Sequence, residues 1–560
     1  MTSSDVRERE WQFDALDLRP VIRWLEEHAA SSGAETLPIA PAGTVNHVDV
    51  YLDTDDRSFQ RAGYALRVRS AARRGKAGEE AEVTLKALAS AGATDGLRVR
   101  REVSEQLERP DPELLGGAAG PVGERIRAVA GKKRVVPLFE VRTRRRVYSL
   151  GSDGSARGEI ALDETSIRLP TGGAPARLRR VEVETSEDAA ETLEPFVEGL
   201  RAACGLQPAG LSKYEAGLLS AGLGAPPSET FGPTAVDPEA PIGAVARAVL
   251  RRHFAALLAR EPGTRLGDDI EELHDMRVAT RRLRAAVSLF SDALPASAAK
   301  LREELGWIGG ALGAVRDLDV QLEQLDQWLA ALPEADRQPL DALRVLLDEQ
   351  RAAARTEMLA VLDSRRYQAF VERFGRTLRS GRTPRSGPPA LLARTAAPDL
   401  IESRFRRFRK AADRIDPHSA PTEYHRVRIR AKRLRYALEF LADLYPGNTR
   451  PLIKRLVVLQ DLLGLHQDAD VAIERLRHIV AARGSELPPA TVFAMGEIAE
   501  RYRQTGTELR ARFPTAYSRV KGKSWKALRR EIDAQRPVVA YAAGDQPAAA
   551  GDGDAGAGAV

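Results

Sequence analysis

Two stretches of this chain repeat each other at a fixed spacing of 151 residues. His274, Arg277, Arg281, Arg282 and Arg284 return as His425, Arg428, Lys432, Arg433 and Arg435. Further on, Gly313, Asp317, Asp319 and Val320 return as Gly464, Asp468, Asp470 and Val471. A spacing held from His274 to Val320 implies two copies of one supersecondary unit that bury their apolar faces together. The surrounding text is Ala, Leu, Arg and Glu at helical spacing, as in IGAVARAVLRRHFAALLAR, and no strand pattern interrupts it. We therefore expect an all-α domain over 241–535, in two repeats of about 241–380 and 399–535. The stretch SGRTPRSGPPALLARTAAP at 380–398 would be the loop between them.

On a helix, His274, Arg277, Arg281 and Arg284 fall at i, i+3, i+7 and i+10, in one stripe roughly 80° wide. Leu273, Met276, Leu283 and Val287 make the adjoining apolar face. His425, Arg428, Lys432 and Arg435 repeat the stripe. Like charges at these spacings cost a helix roughly 0.2–0.5 kcal/mol per pair. Two copies of the same costly pattern point to a polyanion, with Arg offering paired donors to phosphate oxygens and Lys a point charge. The plainer alternative is a solvated face paired to carboxylates, for which Asp317, Asp319, Asp468 and Asp470 are candidates. The histidines are equally compatible with burial. Arg404, Arg406, Arg407, Arg409 and Lys410 add a second basic run. Nucleic acid is served by basic stripes too, but no aromatic residues interleave with these to stack bases, which argues against it.

Composition supports folded domains. Of 560 residues, 43% are hydrophobic, and 85 Lys and Arg stand against 79 Asp and Glu. The single cysteine, Cys204, excludes a disulfide scaffold and a Cys-rich zinc site. No apolar run approaches the roughly 18 residues of a membrane span, and the opening MTSSDVREREWQFD has no signal-peptide core. The expected location is the cytoplasm. Residues 221–240 are rich in Gly, Pro and small side chains and read as a flexible linker; residues 538–560 read as a disordered tail.

Residues 1–220 differ. Short alternating runs recur between Gly and Pro clusters, among them HVDVYLD, YALRVRS, AEVTLKA, GLRVRREVS, LFEVRTRRRVYSL, GEIALDE and LRRVEVET. These are strands of an antiparallel sheet or barrel, with helices near 19–31 and 187–204. Period-two parity groups Glu8, Glu10 and Gln12; Arg67 and Arg69; Thr84 and Lys86; Arg98, Arg100 and Glu102; Glu140, Arg142, Arg144 and Arg146; Glu159 and Asp163; and Arg180, Glu182 and Glu184. The opposite faces are apolar, with Phe139 and Val141 among them. An open sheet with a wet charged face fits this pattern; so does a closed barrel lined by charge. Chemistry favours the barrel. The pairs Glu8/Glu10 and Glu182/Glu184 can meet across neighbouring strands as an oxygen site for Mg²⁺ or Mn²⁺, beside cations suited to phosphate.

These residues carry a resemblance. Glu8-Arg9-Glu10-Trp11-Gln12 is similar to the E-x-E-x-K opening of the CYTH domain, the triphosphate tunnel metalloenzyme family. YLDT at 51–54, LRVR at 66–69, TLK at 84–86, LDE at 162–164, VEVE at 181–184 and SKYE at 212–215 follow in order. LHDMRVATRRLR at 273–284, its partner at 424–435, GALGAVRDLDV and DLLGLHQDADV resemble the CHAD domain, a helical family that binds inorganic polyphosphate. The implied architecture is α+β and multidomain: an antiparallel eight-stranded tunnel over 1–220, then the two-repeat helical domain.

The resemblance implies a divalent cation on Glu8, Glu10, Glu182 and Glu184, and triphosphate held by Arg67, Arg69, Lys86, Arg100, Arg144 and Lys213. Glu8, Glu10 and Gln12 would be the catalytic set. Long polyphosphate would lie on His274, Arg277, Arg281, Arg284, His425, Arg428, Lys432 and Arg435. Gln12 stands where the signature has Lys, which sets a non-catalytic, granule-targeting polyphosphate module beside a metal-dependent triphosphatase.

Overall fold

The computed structural model describes residues 3–535 except 31–36, 72–80, 89–95, 108–111, 152–157, 173, 187–188, 226–229, 332–333 and 381–385. The tail expected at 538–560 lies outside the described residues.

Eight antiparallel strands form the N-terminal half: β1 (Ser3–Asp14), β2 (Ile39–Thr54), β3 (Tyr64–Ala71), β4 (Ala81–Ala87), β5 (Leu97–Leu107), β6 (Val135–Leu150), β7 (Gly158–Arg168) and β8 (Ala176–Thr185). They run in the order β5-β4-β3-β2-β6-β7-β8-β1, and β1 pairs again with β5, which closes the barrel. A two-residue β9 (Gln207–Pro208) adds to β1. Closure leaves no edge among the eight strands and turns alternate side chains into a lumen. The helices are α1 (Arg19–Ala30), α2 (Ser58–Arg61), α3 (Pro121–Ala130), α4 (Ala190–Cys204) and α5 (Lys213–Ser220).

The outward apolar faces are covered by these helices. Trp11, Phe13, Ile160, Leu162, Val181 and Val183 bury against Val21 and Leu25 of α1 and Leu193, Val197 and Leu200 of α4. Leu66, Val68, Val83, Leu85 and Val103 bury against Phe59 of α2 and Val122, Ile126 and Val129 of α3. A third cluster sits on the lumen side. Tyr51, Ala65, Phe139, Val141 and Ile167 pack with Tyr214 and Leu218 of α5, and the Tyr51, Phe139 and Tyr214 rings lie 5.1–6.1 Å apart.

That cluster corrects the sequence reading of β6. Phe139 and Val141 share the inner parity with Thr143 and Arg145, so Arg142, Arg144 and Arg146 point outward with Tyr148 and Leu150. The helices cover Tyr148 and Leu150. They do not cover the Glu140–Arg146 stretch, and its charged face therefore turns to water.

The helical half runs α6 (Ile242–Leu266), α7 (Ile270–Leu289), α8 (Ala298–Ala331), α9 (Glu334–Arg337), α10 (Asp341–Asp363), α11 (Arg365–Arg379), α12 (Ala393–Ala412), α13 (Pro421–Phe440), α14 (Thr449–Arg483), α15 (Pro489–Arg519) and α16 (Trp525–Gln535). α11 ends at Arg379, and α12 begins at Ala393, inside the stretch 380–398 expected as a loop. Contacts divide the chain into two compact units. One holds Met1–Pro233, Leu250–Arg284 and Ser297–Gly381; the other holds Thr234–Val249, Ala285–Ala296 and Arg382–Val560. In the first, Tyr64 donates to Asp268 at 2.8 Å and Arg355 donates to the carbonyls of Thr264 and Leu266, which ends α6 with a cationic cap. Within 221–240, Phe231 packs on Phe254 with ring centroids 4.8 Å apart. In the second unit, α12, α13, α14 and α15 pack in sequence around Leu434, Leu452, Leu456, Leu459 and Phe513.

No helix is long and apolar enough to cross a membrane among the described residues.

Candidate functional site

The lumen encloses about 190 Å³ and is lined by charge of both signs. Its walls are set by register. Glu8 faces Arg100 and Glu10 faces Arg98 across β1 and β5; Glu10 faces Glu184 and Gln12 faces Glu182 across β1 and β8. Arg145 faces Asp163 across β6 and β7.

Two buried networks result. In one, Lys86 reaches Glu8, Glu10 at 3.1 Å and Glu102 at 3.4 Å. Arg100 donates to Glu10 and to the Gln12 amide oxygen, both at 3.3 Å. Arg67 lies 3.5 Å from Glu102 and 3.9 Å from Asp49, while Arg69 grips Asp49 with two bonds of 2.7 and 3.0 Å. In the other, Arg145 makes two bonds to Asp163, at 2.9 and 2.8 Å, and a third to Glu182 at 2.5 Å. Lys213 joins Asp163 at 2.5 Å and Glu182 at 3.0 Å. Lys213 is aimed by a capping box: Ser212 accepts from the Glu215 N–H at 3.2 Å, and Glu215 accepts from the Ser212 N–H at 2.7 Å.

The lumen carboxylates shift in both directions: Glu102 is buried, yet Arg67 and Lys86 hold it low. Burial pushes Glu8 up to about 7; Lys86 opposes this, and Glu10 and Glu102 add to it. Burial and the neighbouring Glu10 likewise raise Glu184. Glu182 is also buried, but Lys213 and Arg145 hold it well below the usual carboxylate range. Burial alone would lower Lys86, yet Glu10, Glu8 and Glu102 outweigh it and raise its pKa, so it stays charged.

Of the residues expected to hold triphosphate, Arg67, Arg69, Lys86, Arg100 and Lys213 line the lumen. Arg144 does not. Its side chain is 62% exposed on the outer face and pairs with Glu164 at 3.3 Å, and Arg145 takes its place inside. The RTRRR run puts arginine on both faces of β6, so composition does not choose between them; the register to Asp163 does. Glu102, Asp49 and Asp163 were also missed as site residues. Each carries the lumen parity of its strand.

Glu8, Glu10, Gln12, Glu182 and Glu184 all line the lumen, but the four glutamates expected to hold a divalent cation do not form one set. Glu182 is held by Arg145 and Lys213, and Glu8 and Glu10 by Lys86. Among the described residues no three His, Cys, Asp or Glu are grouped to hold a metal ion. As placed, Glu8 and Glu10 would take a cation only by releasing Lys86.

The helical stripes lie one in each unit. Arg277 pairs with Asp317 at 2.9 Å, whereas Asp319 is buried on Arg351 at 2.6 Å and ties α8 to α10. The His274 pKa is lowered by partial burial, Arg316 and Arg281. The repeated glycines are seats for the repeated arginines. A Cβ on Gly313 would lie 3.6 Å from the Arg277 guanidinium, and one on Gly464 would lie 3.9 Å from that of Arg428. In the second copy Arg435 lies 3.4 Å from Glu439, one turn along α13.

An uncharacterized protein of Mycobacterium tuberculosis is 28% identical over 457 residues, 76% of this chain and 81% of that protein. The CHAD domain from the plant Ricinus communis is 27% identical, covering 56% of this chain and 98% of that one, with a TM-score of 0.39. A putative adenylyl cyclase from Hippeastrum, described as having a dominant triphosphatase activity, is 18% identical over 38% of this chain and 96% of its own, with a TM-score of 0.30. The CYTH domain model matches residues 25–217 and the CHAD domain model residues 248–477. The chain is therefore a CYTH domain joined to a CHAD domain.

Proposed function

We propose that this protein binds a triphosphate, or the end of a polyphosphate, in the lumen and grips long inorganic polyphosphate on the helical stripes. The observation that carries the reading is the lumen itself: Arg67, Arg69, Lys86, Arg100, Arg145 and Lys213 converge on one small cavity with multiple donors. Such a cavity suits a compact anion with several oxygens and excludes a base or an apolar group. A phosphate chain entering it trades places with the carboxylates now on those cations. Gln12 is buried in the same wall and offers an amide instead of an ammonium. It can hydrogen-bond a phosphate, but it brings no charge to a developing anion. We therefore assign the lumen to binding with slow turnover. A divalent cation, Mg²⁺ or Mn²⁺, would have to draw Glu8 and Glu10 away from Lys86; the chemistry it would supply is charge neutralisation at the phosphate. A cytoplasmic, granule-associated role fits the same ligand.

The test is phosphate release from tripolyphosphate, ATP and long polyphosphate, with and without Mg²⁺ or Mn²⁺, beside binding of each. Tripolyphosphate binding with release far below the roughly 1–10³ per second of ordinary enzymes supports the reading. Rapid release contradicts the assignment to binding, and absence of binding contradicts the whole.

A further inference from the structure

The second repeat carries a groove that none of the stripe residues line. Its walls are Arg404, Arg407, Lys410 and Arg414 of α12 and its continuation, and Arg426, Arg430 and Arg433 of α13, around about 570 Å³. On α13 these arginines sit roughly 140° around the helix from His425, Arg428, Lys432 and Arg435, so the face is a separate one. Arg430 donates to the Arg407 carbonyl at 3.0 Å and Arg404 to the Ser288 carbonyl at 2.9 Å, which fixes the groove's shape without neutralising it. Among the described residues its one lining carboxylate, Glu423, accepts the Ala420 N–H at 3.2 Å and so caps its own helix. Burial, Arg407 and Arg433 depress the Arg404 pKa, as expected where cations crowd one another.

The first repeat marks the groove as a specialisation. At the 151-residue spacing, which also pairs Phe254 with Phe405, the same positions hold His253, Ala256, Ala259, Gly263, Asp275, Ala279 and Arg282. His253 is driven down to about 4 by burial and is neutral; with Arg260 and Glu272 at the positions of Ala411 and Glu423, that face carries two cations and two carboxylates, and Arg260 is paired with both Glu272 and Asp275. There Ala255, Leu258 and Ala259 share a cleft with Arg61 and Lys133 instead. Only the second copy keeps the face open and basic.

The geometry points to a second anion site in this groove, for a condensed-phosphate chain distinct from the one on the stripes. α12 rises about 12 Å from Arg404 to its end at Ala412, which is the span of several linked phosphates and too long for one. Among the described residues no aromatic side chain lines the groove, so bases would have no ring there to stack on. The inference takes its ligand chemistry from the polyphosphate reading above, but its location is independent of that reading.

The experiment uses the full chain and removes four exposed cations together, Arg407→Ala, Lys410→Ala, Arg414→Ala and Arg426→Ala, alone and on top of Arg277→Glu, Arg281→Glu, Lys432→Glu and Arg435→Glu. Long-chain polyphosphate, tripolyphosphate and an oligothymidylate are the probes. Phenylglyoxal labelling of Arg407, Arg414 and Arg426, read by mass spectrometry, reports the groove directly in the unmodified protein. We expect the groove substitutions to lower long-chain affinity about tenfold or more, to remove what binding survives the stripe substitutions, and polyphosphate to slow the labelling. If the parent binds polyphosphate but the groove variant binds equally well and labelling is unslowed, the groove is no site and the function proposed above stands. If the parent binds no polyphosphate, both fall. Equal protection by oligothymidylate overturns the condensed-phosphate assignment in favour of nucleic acid.

Discussion

The lumen and the helical stripes use the same side chains in opposite ways. In the lumen every cation named above already meets a carboxylate, and most of these pairs are buried. Asp163, wholly buried, is shared by Arg145 and Lys213. On the stripes the ion pairs differ between the copies: Arg277 meets an Asp317 that is 59% exposed, whereas Arg435 meets a Glu439 that is 23% exposed. A buried network fixes geometry and is costly to break, whereas a surface row supplies a field that salt screens. The first suits a short anion held in one pose, the second a long chain held in many.

The difference predicts unequal responses to mutation. Asp163→Ala strands two buried cations on Glu182 alone and should cost about 3–5 kcal/mol of stability. Arg277→Ala should cost under about 1 kcal/mol. Denaturant unfolding of the full chain measures both, and equal losses would erase the distinction.

Gln12 is the next lever. Gln12→Lys should raise phosphate release from tripolyphosphate by on the order of 10²–10³, and Glu10→Gln in that background should remove the gain. An unchanged rate would place any deficit elsewhere.

Charge reversal at Arg277, Arg281, Lys432 and Arg435 should cut long-chain polyphosphate binding at about 0.15 M salt to the part the groove carries, while leaving tripolyphosphate binding in the lumen intact. Loss of both would merge the two sites that the comparison separates.

The smallest effect is in pH. Glu8 holds its proton to about 7 in the folded protein against an ordinary value of 4.5. Its contribution to stability is therefore present below the ordinary value and lost as pH rises through about 7. Over the same window its new charge should weaken anion binding, and Glu8→Gln should flatten that dependence. Glu182 runs the other way: its stabilising share is present above the ordinary carboxylate range and is lost on acidification. Tripolyphosphate titrations between pH 5.5 and 8 would read the first effect; a profile unchanged by Glu8→Gln would remove Glu8 from it.

Much of this was legible in the sequence, unevenly. Alternation gave the strands, and the 151-residue spacing gave the two repeats, because both are local periodicities. Parity placed Arg67, Arg69 and Lys86 in the lumen because their opposite faces are plainly apolar, and Glu8, Glu10, Gln12 and Arg100 because Trp11, Phe13, Val99 and Val103 outweigh Arg9 and Arg101 on theirs. It failed on β6, where Phe139, Val141, Thr143 and Arg145 line the inside and Arg142, Arg144 and Arg146 the outside. There neither face is purely apolar, and only pairing with Asp163 and cover by helices decide it. The basic groove of the second repeat was visible only as a run, Arg404 to Lys410; its other wall comes from the next helix, α13, and the run alone does not show which face of α12 meets it.

The most direct test of the lumen is calorimetric titration of tripolyphosphate into the full chain, the Arg67→Gln/Arg100→Gln variant and the Arg144→Gln variant, with far-UV circular dichroism to show that each is folded. Charge-assisted bonds of this kind are each worth roughly 1.5–3 kcal/mol. The account predicts that the double variant loses at least about tenfold in affinity and that Arg144→Gln binds as the parent does. Equal loss in Arg144→Gln, or none in the double variant, would contradict it.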